Sequence, residues 1–169
     1  EGDPTPTTEP VTAEDALESN QENGAECLAD IFPGKTTREE VINLLGEPVY
    51  SEANGGFETL FYPSSLYKKN HNIILEDNLV VMVTAILDKE KTSYSWEEIQ
   101  AELGPSQATT FSLYAQGSMT YVYPFYGQAF IANPDKDAVY IRECFEPTSI
   151  NEFMNTWGID LPTSNPFSQ

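Results

Sequence analysis

The sequence predicts an α+β fold: a tandem repeat of a helix-pair plus antiparallel-sheet unit, with the helices on one face of the sheet. Three observations carry that expectation. First, Thr36 to Pro48 reads as a capped amphipathic helix that stops at a glycine: Thr36 supplies an N-cap oxygen, Glu39 sits three residues on, and Val41, Leu44 and Leu45 share a face. Second, Ser95 to Pro105 matches it at an offset of 58, pairing Thr37 with Ser95, Glu40 with Glu98, Val41 with Ile99, Leu45 with Leu103 and Gly46 with Gly104. Third, Phe57 to Pro63 aligns with Gly117 to Pro124 through Thr59/Thr120, Tyr62/Tyr123 and Pro63/Pro124, and both run into two further strand-like segments.

The chain divides accordingly. Residues 1–24 are a Pro/Thr-rich acidic tract too polar to pack, expected to be a disordered tether left after processing. Residues 25–88 form the first unit, 89–147 the second, and 148–169 a C-terminal helix and tail. In the first unit a short helical piece covers 25–32, Pro33-Gly34 turns, and the repeat helix follows over 37–45. Strands are expected at 49–53 and 57–62, separated by Asn54-Gly55-Gly56, whose glycines accept positive φ, and at 73–75 and 79–87 around Glu76-Asp77-Asn78. Residues 63–72 read as an irregular connection. The second unit has a helix over 96–103 and strands at 108–114, 119–123, 128–132 and 138–145. Ser149 to Glu152 is a capping box opening a helix to about Trp157, with Gly158 at its end.

Charge excludes some functions. The chain carries 27 acidic against 8 basic residues, a net charge of −19, and its first thirty residues hold nine acids and no Lys or Arg. Such a surface repels phosphate backbones and anionic headgroups, which rules out nucleic acid and peripheral membrane binding. The longest apolar run, Leu79 to Val83, is too short to span a bilayer and suits a buried strand. Two cysteines, Cys27 and Cys144, permit one disulfide across the globular part; two separate buried thiols fit the spacing equally well.

The chemical motifs are weak. Pro33-Gly34-Lys35-Thr36 resembles the end of a phosphate-binding loop, but the motif's first glycine falls on Ala29, so a turn before a helix accounts for it. Asn133, Asp135 and Asp137 alternate as calcium ligands do, without the glycine such a loop needs, which favours a hairpin turn. His71 stands alone among Lys68, Lys69 and asparagines and reads as a solvated loop residue. Glu39-Glu40 and Glu97-Glu98 occupy first helical turns, where the helix dipole favours carboxylates. No metal ligands, cofactor site or catalytic residues emerge.

What remains is aromatic. Strand alternation puts Tyr62, Tyr121 and Tyr123 on one sheet side, Phe125 continues the alternation, and Phe61, Val122 and Thr120 fall on the other. The smaller, β-branched side suits close helix packing, which assigns Tyr62, Tyr121, Tyr123 and Phe125 to an exposed binding surface.

The stretch Ile31 to Val41 followed by Leu44-Leu45-Gly46-Glu47-Pro48 resembles the signature of the SmpA/OmlA (BamE-type) small outer-membrane lipoproteins. Two such units in one chain are also reminiscent of β-lactamase inhibitory protein. The resemblance covers residues 28–87 well and 94–146 less well. It implies helix-pair-on-sheet units and an extracytoplasmic lipoprotein of the cell envelope, held to the membrane only through a lipid anchor upstream of Glu1. The second copy departs from the pattern with Trp96 in place of Arg38 and no proline-glycine turn. The expected function is a non-enzymatic protein-interaction module with a protein partner in the envelope. The alternatives are a small-ligand-binding envelope protein and a hydrolase whose carboxylates converge only in three dimensions.

Overall fold

A computed structural model describes residues 27–88 and 95–167, so the expected tether at 1–24 lies outside the described residues. Burial is greatest in the central strands and least at one edge, where every residue is exposed. The strands are β1 (Tyr50–Asn54), β2 (Phe57–Pro63), β3 (Asn70–Glu76), β4 (Leu79–Ile86), β5 (Ala108–Phe111), β6 (Met119–Tyr123), β7 (Gln128–Asn133) and β8 (Ala138–Phe145). Together they form one eight-stranded sheet in the order β1-β2-β3-β4-β8-β7-β6-β5, and every neighbouring pair is antiparallel.

This corrects the expected fold. The described residues form mostly a continuous antiparallel sheet with a few short helices, α1 (Arg38–Leu45), α2 (Trp96–Leu103) and α3 (Ile150–Asn155). It is not the helix-pair-plus-sheet tandem repeat of the BamE type. The stretch expected to supply the first helix of a pair instead turns at Ala29 and Asp30, both in the left-handed region, and closes a bridge between Leu28 and Ile31. Nor do the helices share one face. Val41 of α1 packs with Leu60, Ile73, Leu75 and Val83, and Trp96 and Ile99 of α2 pack with Tyr123, Phe130 and Val139. Phe153 of α3 packs with Met82, Val122, Ala129 and Phe145, whose side chains alternate with those of the first set and therefore lie on the opposite face.

The two halves join where β4 meets β8, with Met82 opposite Phe145 and Val83 opposite Cys144. Left apart, these two apolar strands would each present an open edge; pairing them removes both and buries residues on both faces. A disulfide between Cys27 and Cys144, with Cα atoms 5.8 Å apart, straps the start of the described chain to β8. Of the two readings left open by the sequence, the bonded one is realised.

Local chemistry explains the helix ends. Thr37, one residue beyond the expected cap, is the N-cap of α1: its hydroxyl accepts from the Glu40 N–H while Glu40 accepts from the Thr37 N–H. Thr36 is buried and accepts from the Phe32 N–H at 2.9 Å. Ser95 and Ser149 cap α2 and α3 by accepting from Glu98 and Glu152. Gly46 and Gly104 end α1 and α2 at φ 81° and 73°, a region in which a side chain is strained.

Candidate functional site

The tyrosines expected to face a partner belong to the core. Tyr62 is 5% exposed and Tyr123 fully buried, while Tyr121 is half-buried with its ring centroid 4.1 Å from that of Trp96. Phe125, half-buried in a short 3₁₀ turn at Pro124–Tyr126, adds no exposed face. The larger aromatic side of β2 and β6 was therefore the side covered by α1 and α2, because one phenol oxygen in each half can reach a helix end. The Tyr62 hydroxyl donates to the Gly46 carbonyl at 2.9 Å, and the Tyr123 hydroxyl to the Gly104 carbonyl at 3.1 Å. Each satisfies a carbonyl that the last helical turn leaves without an internal partner. Burial raises the pKa of both phenols, that of Tyr123 to about 12, so they remain donors at any physiological pH.

Other sequence candidates are also structural. His71 lies in β3, half-buried, and its Nδ1 accepts from the Ile86 N–H at 3.0 Å. The ring is thus held neutral, and burial lowers its pKa. Asp137 sits in the left-handed region after the turn at Pro134–Lys136, and its Oδ1 accepts from the Ser95 hydroxyl and the Glu97 N–H, tying the β7–β8 hairpin to α2. Glu143 on β8 is half-buried by exposed area, yet the protein packed around its carboxyl pushes its pKa up to about 7. Its cross-strand neighbours are Thr84 and Ala129, so the facing pair of carboxylates that a hydrolase would use is not assembled there.

The surface that is free lies at the end of the sheet. All five residues of β1 are exposed, β2 pairs with one side of it, and no described strand pairs with the other. A two-residue hairpin at Gly55-Gly56 joins Asn54 to Phe57, and such a closing pair exchanges hydrogen bonds across the ladder. Alternation then turns the Ser51 and Ala53 N–H groups away from β2, toward solvent. Tyr50 stacks on Phe61 with centroids 4.2 Å apart but stays 46% exposed, and Val49 beside it is 62% exposed. The strand contains no proline and no lysine, the usual guards of an edge. Charge around it is negative: Glu47 just before the strand and Glu52 on it are exposed, while Arg38 is taken up by Glu58 through two contacts of 2.9 and 3.1 Å.

No family model matches the chain, and no curated protein matches it. Two solved structures resemble it. One is a DUF4309 family protein (YjgB) from Bacillus subtilis, 12% identical, covering 79% of this chain and 95% of that one with a TM-score of 0.49. The other is an extracellular protein containing an SCP domain from Bacillus anthracis, 13% identical, covering 85% of this chain but 54% of that one, also with a TM-score of 0.49. This chain spans about half the length of the latter protein.

Sequence reasoning placed β1 correctly to within a residue and missed its importance. The signal was present in Tyr-Ser-Glu-Ala-Asn, a strand carrying one charge and no proline, but nothing local says which strand of a sheet will stand at its edge.

Proposed function

We propose that this chain is a non-catalytic, extracytoplasmic protein-interaction module that takes an extended, basic segment of its partner onto the outer edge of β1. The observation that carries this reading is the edge itself: five exposed residues with two outward N–H groups, a template for strand addition in which main-chain hydrogen bonds supply affinity. The acidic surround selects Lys- and Arg-bearing segments and repels a second copy of a chain charged −19. The Cys27–Cys144 disulfide supports an oxidising, extracytoplasmic location. No described helix is long and apolar enough to cross a membrane. Attachment through a lipid-bearing cysteine upstream of Glu1 is the finer form of this reading and rests on the lipoprotein resemblance; mass spectrometry of the native N-terminus tests it.

The binding test is an amide-resolved NMR titration with an alternating Lys/Val/Thr hexapeptide. Ser51 and Ala53 should shift and gain exchange protection, Ala53→Pro should abolish the effect, and a Glu-for-Lys peptide should bind at least about tenfold more weakly. Shifts located elsewhere, or binding retained by Ala53→Pro, would refute the edge.

A further inference from the structure

We infer that the outer face of β5–β7 holds a binding site for a small amphipathic organic anion, distinct from the β1 edge. A cavity of about 450 Å³ opens there, within the range of small-ligand sites. Three parts of the chain build it. Phe111 and Ile131 supply an apolar wall from β5 and β7, and Leu161 of the C-terminal tail lies across them. The tail is held in place because Pro162 accepts the Phe111 N–H at 3.2 Å. Lys69 reaches in from the β2–β3 loop on the other half of the sheet, its ammonium 4.9 Å from the centroid of Tyr114, which stacks on Tyr140.

Two polar features mark this cavity. Thr120 lines it and pairs across the strands with Thr110 of β5, whose fully enclosed Oγ1 is without a partner among the described residues. A ligand acceptor reaching the Thr120 hydroxyl would gain a hydrogen bond on the cavity wall. Lys69 pairs with no carboxylate among the described residues, although acids outnumber bases 27 to 8. Its loop is fixed by the Ser64 hydroxyl donating to the Lys69 carbonyl at 2.8 Å, so the cation is presented rather than trailing. An apolar wall, one unpaired cation and one hydroxyl together fit a ligand with an apolar body and a single carboxylate or sulfonate. Exposed Asp160 on the rim disfavours a second negative charge.

The test uses 1-anilinonaphthalene-8-sulfonate and its uncharged analogue N-phenyl-1-naphthylamine, both followed by fluorescence on the full chain. The sulfonate should bind at one site. Lys69→Ala should weaken it about tenfold while changing the neutral dye less than about twofold, as loss of one charge-assisted contact predicts. Thr120→Val should weaken the sulfonate modestly and leave the neutral dye as in the parent, Ile131→Trp should block both by filling the cavity, and Asp160→Asn should tighten the sulfonate. Ala53→Pro should bind both dyes as the parent does, which separates this site from the β1 edge. Absence of sulfonate binding, or binding unchanged in Lys69→Ala and Ile131→Trp while melting curves show both folded, would overturn the proposal. Weakening of the sulfonate by Asp160→Asn would overturn the anion assignment.

Discussion

The two outer strands of the sheet, β1 and β5, end it in opposite ways. β5 is four residues long, and its Phe111 N–H is already taken by Pro162 of the tail that folds back along it. β1 is five residues long, wholly exposed and met by no described segment. Behind each edge the construction is the same: an eight-residue helix ends on a glycine at positive φ, and a buried tyrosine hydroxyl donates to that glycine's carbonyl. The halves therefore differ where a partner could arrive and agree where stability is made. An edge strand left bare is an aggregation hazard. That one edge is roofed by the chain's own tail and the other left open is the structural difference on which the strand-addition reading depends.

Substitutions at the junction and at the two edges should differ in their effects on stability. The largest effect comes from Cys27→Ser with Cys144→Ser, which uncouples the first half from β8; a crosslink across 117 residues is worth about 4–5 kcal/mol on the chain-entropy model, measured as a shift in the urea midpoint. Truncation after Gly158 should cost about 2–3 kcal/mol through loss of Leu161 and of the bond to Phe111. It should also make β5 as open as β1, so that concentration-dependent association appears in sedimentation; a truncated chain that stays monomeric would show that the tail is not what guards this edge. Tyr62→Phe and Tyr123→Phe should each cost about 1 kcal/mol and to a similar extent, since each leaves one helix-end carbonyl unsatisfied. Thermal melts of the two variants check this, and a much larger loss in one would break the equivalence of the halves.

The pH dependence separates the halves by sign. His71, in the first half, has a folded pKa below 6.5, so the unfolded chain binds more protons and stability falls as pH drops below about 6.5. Glu143, in the second, is raised from 4.5 to about 7, so the folded chain binds more protons and stability falls as pH rises through 7. In the window just below pH 6.5 the two slopes oppose each other, which predicts a shallow profile there for the parent chain. Glu143→Gln should uncover a rise over that window, and His71→Gln a decline that continues to about pH 7. Urea midpoints at half-unit intervals measure both, and an unchanged profile in Glu143→Gln would contradict its raised pKa. The smallest effect sharpens the comparison: Ala53→Pro should change stability by less than about 0.5 kcal/mol, because an outward N–H on an edge strand bonds to nothing within the chain.

The elements were legible in the amino-acid order alone. Cap residues, helix-ending glycines, turn dipeptides and strand alternation act over a few residues, and they located α2 to the residue and six of the eight strands to within a residue or two, while β3 was read three residues short at its start and β5 three residues long at its end; the first cap slipped by one because Thr36 and Thr37 both offer a capping oxygen. How those elements meet depends on contacts between distant segments. Alternation gives two strand faces but not which one a helix covers, and the answer turned on a contact between residues 16 and 19 positions apart, where Tyr62 and Tyr123 reach Gly46 and Gly104. The strand reading of residues 70–72 needed β2 as a partner, and the contact of His71 with the Ile86 N–H needed the end of β4. Joining the halves through β4 and β8, the Cys27–Cys144 crosslink, the opposite placement of α3 and the cavity shared by Lys69, Thr120 and Leu161 all depend on segments far apart in the chain. Local propensity carries no information about such encounters; burial of apolar surface and the closing of open strand edges select among them.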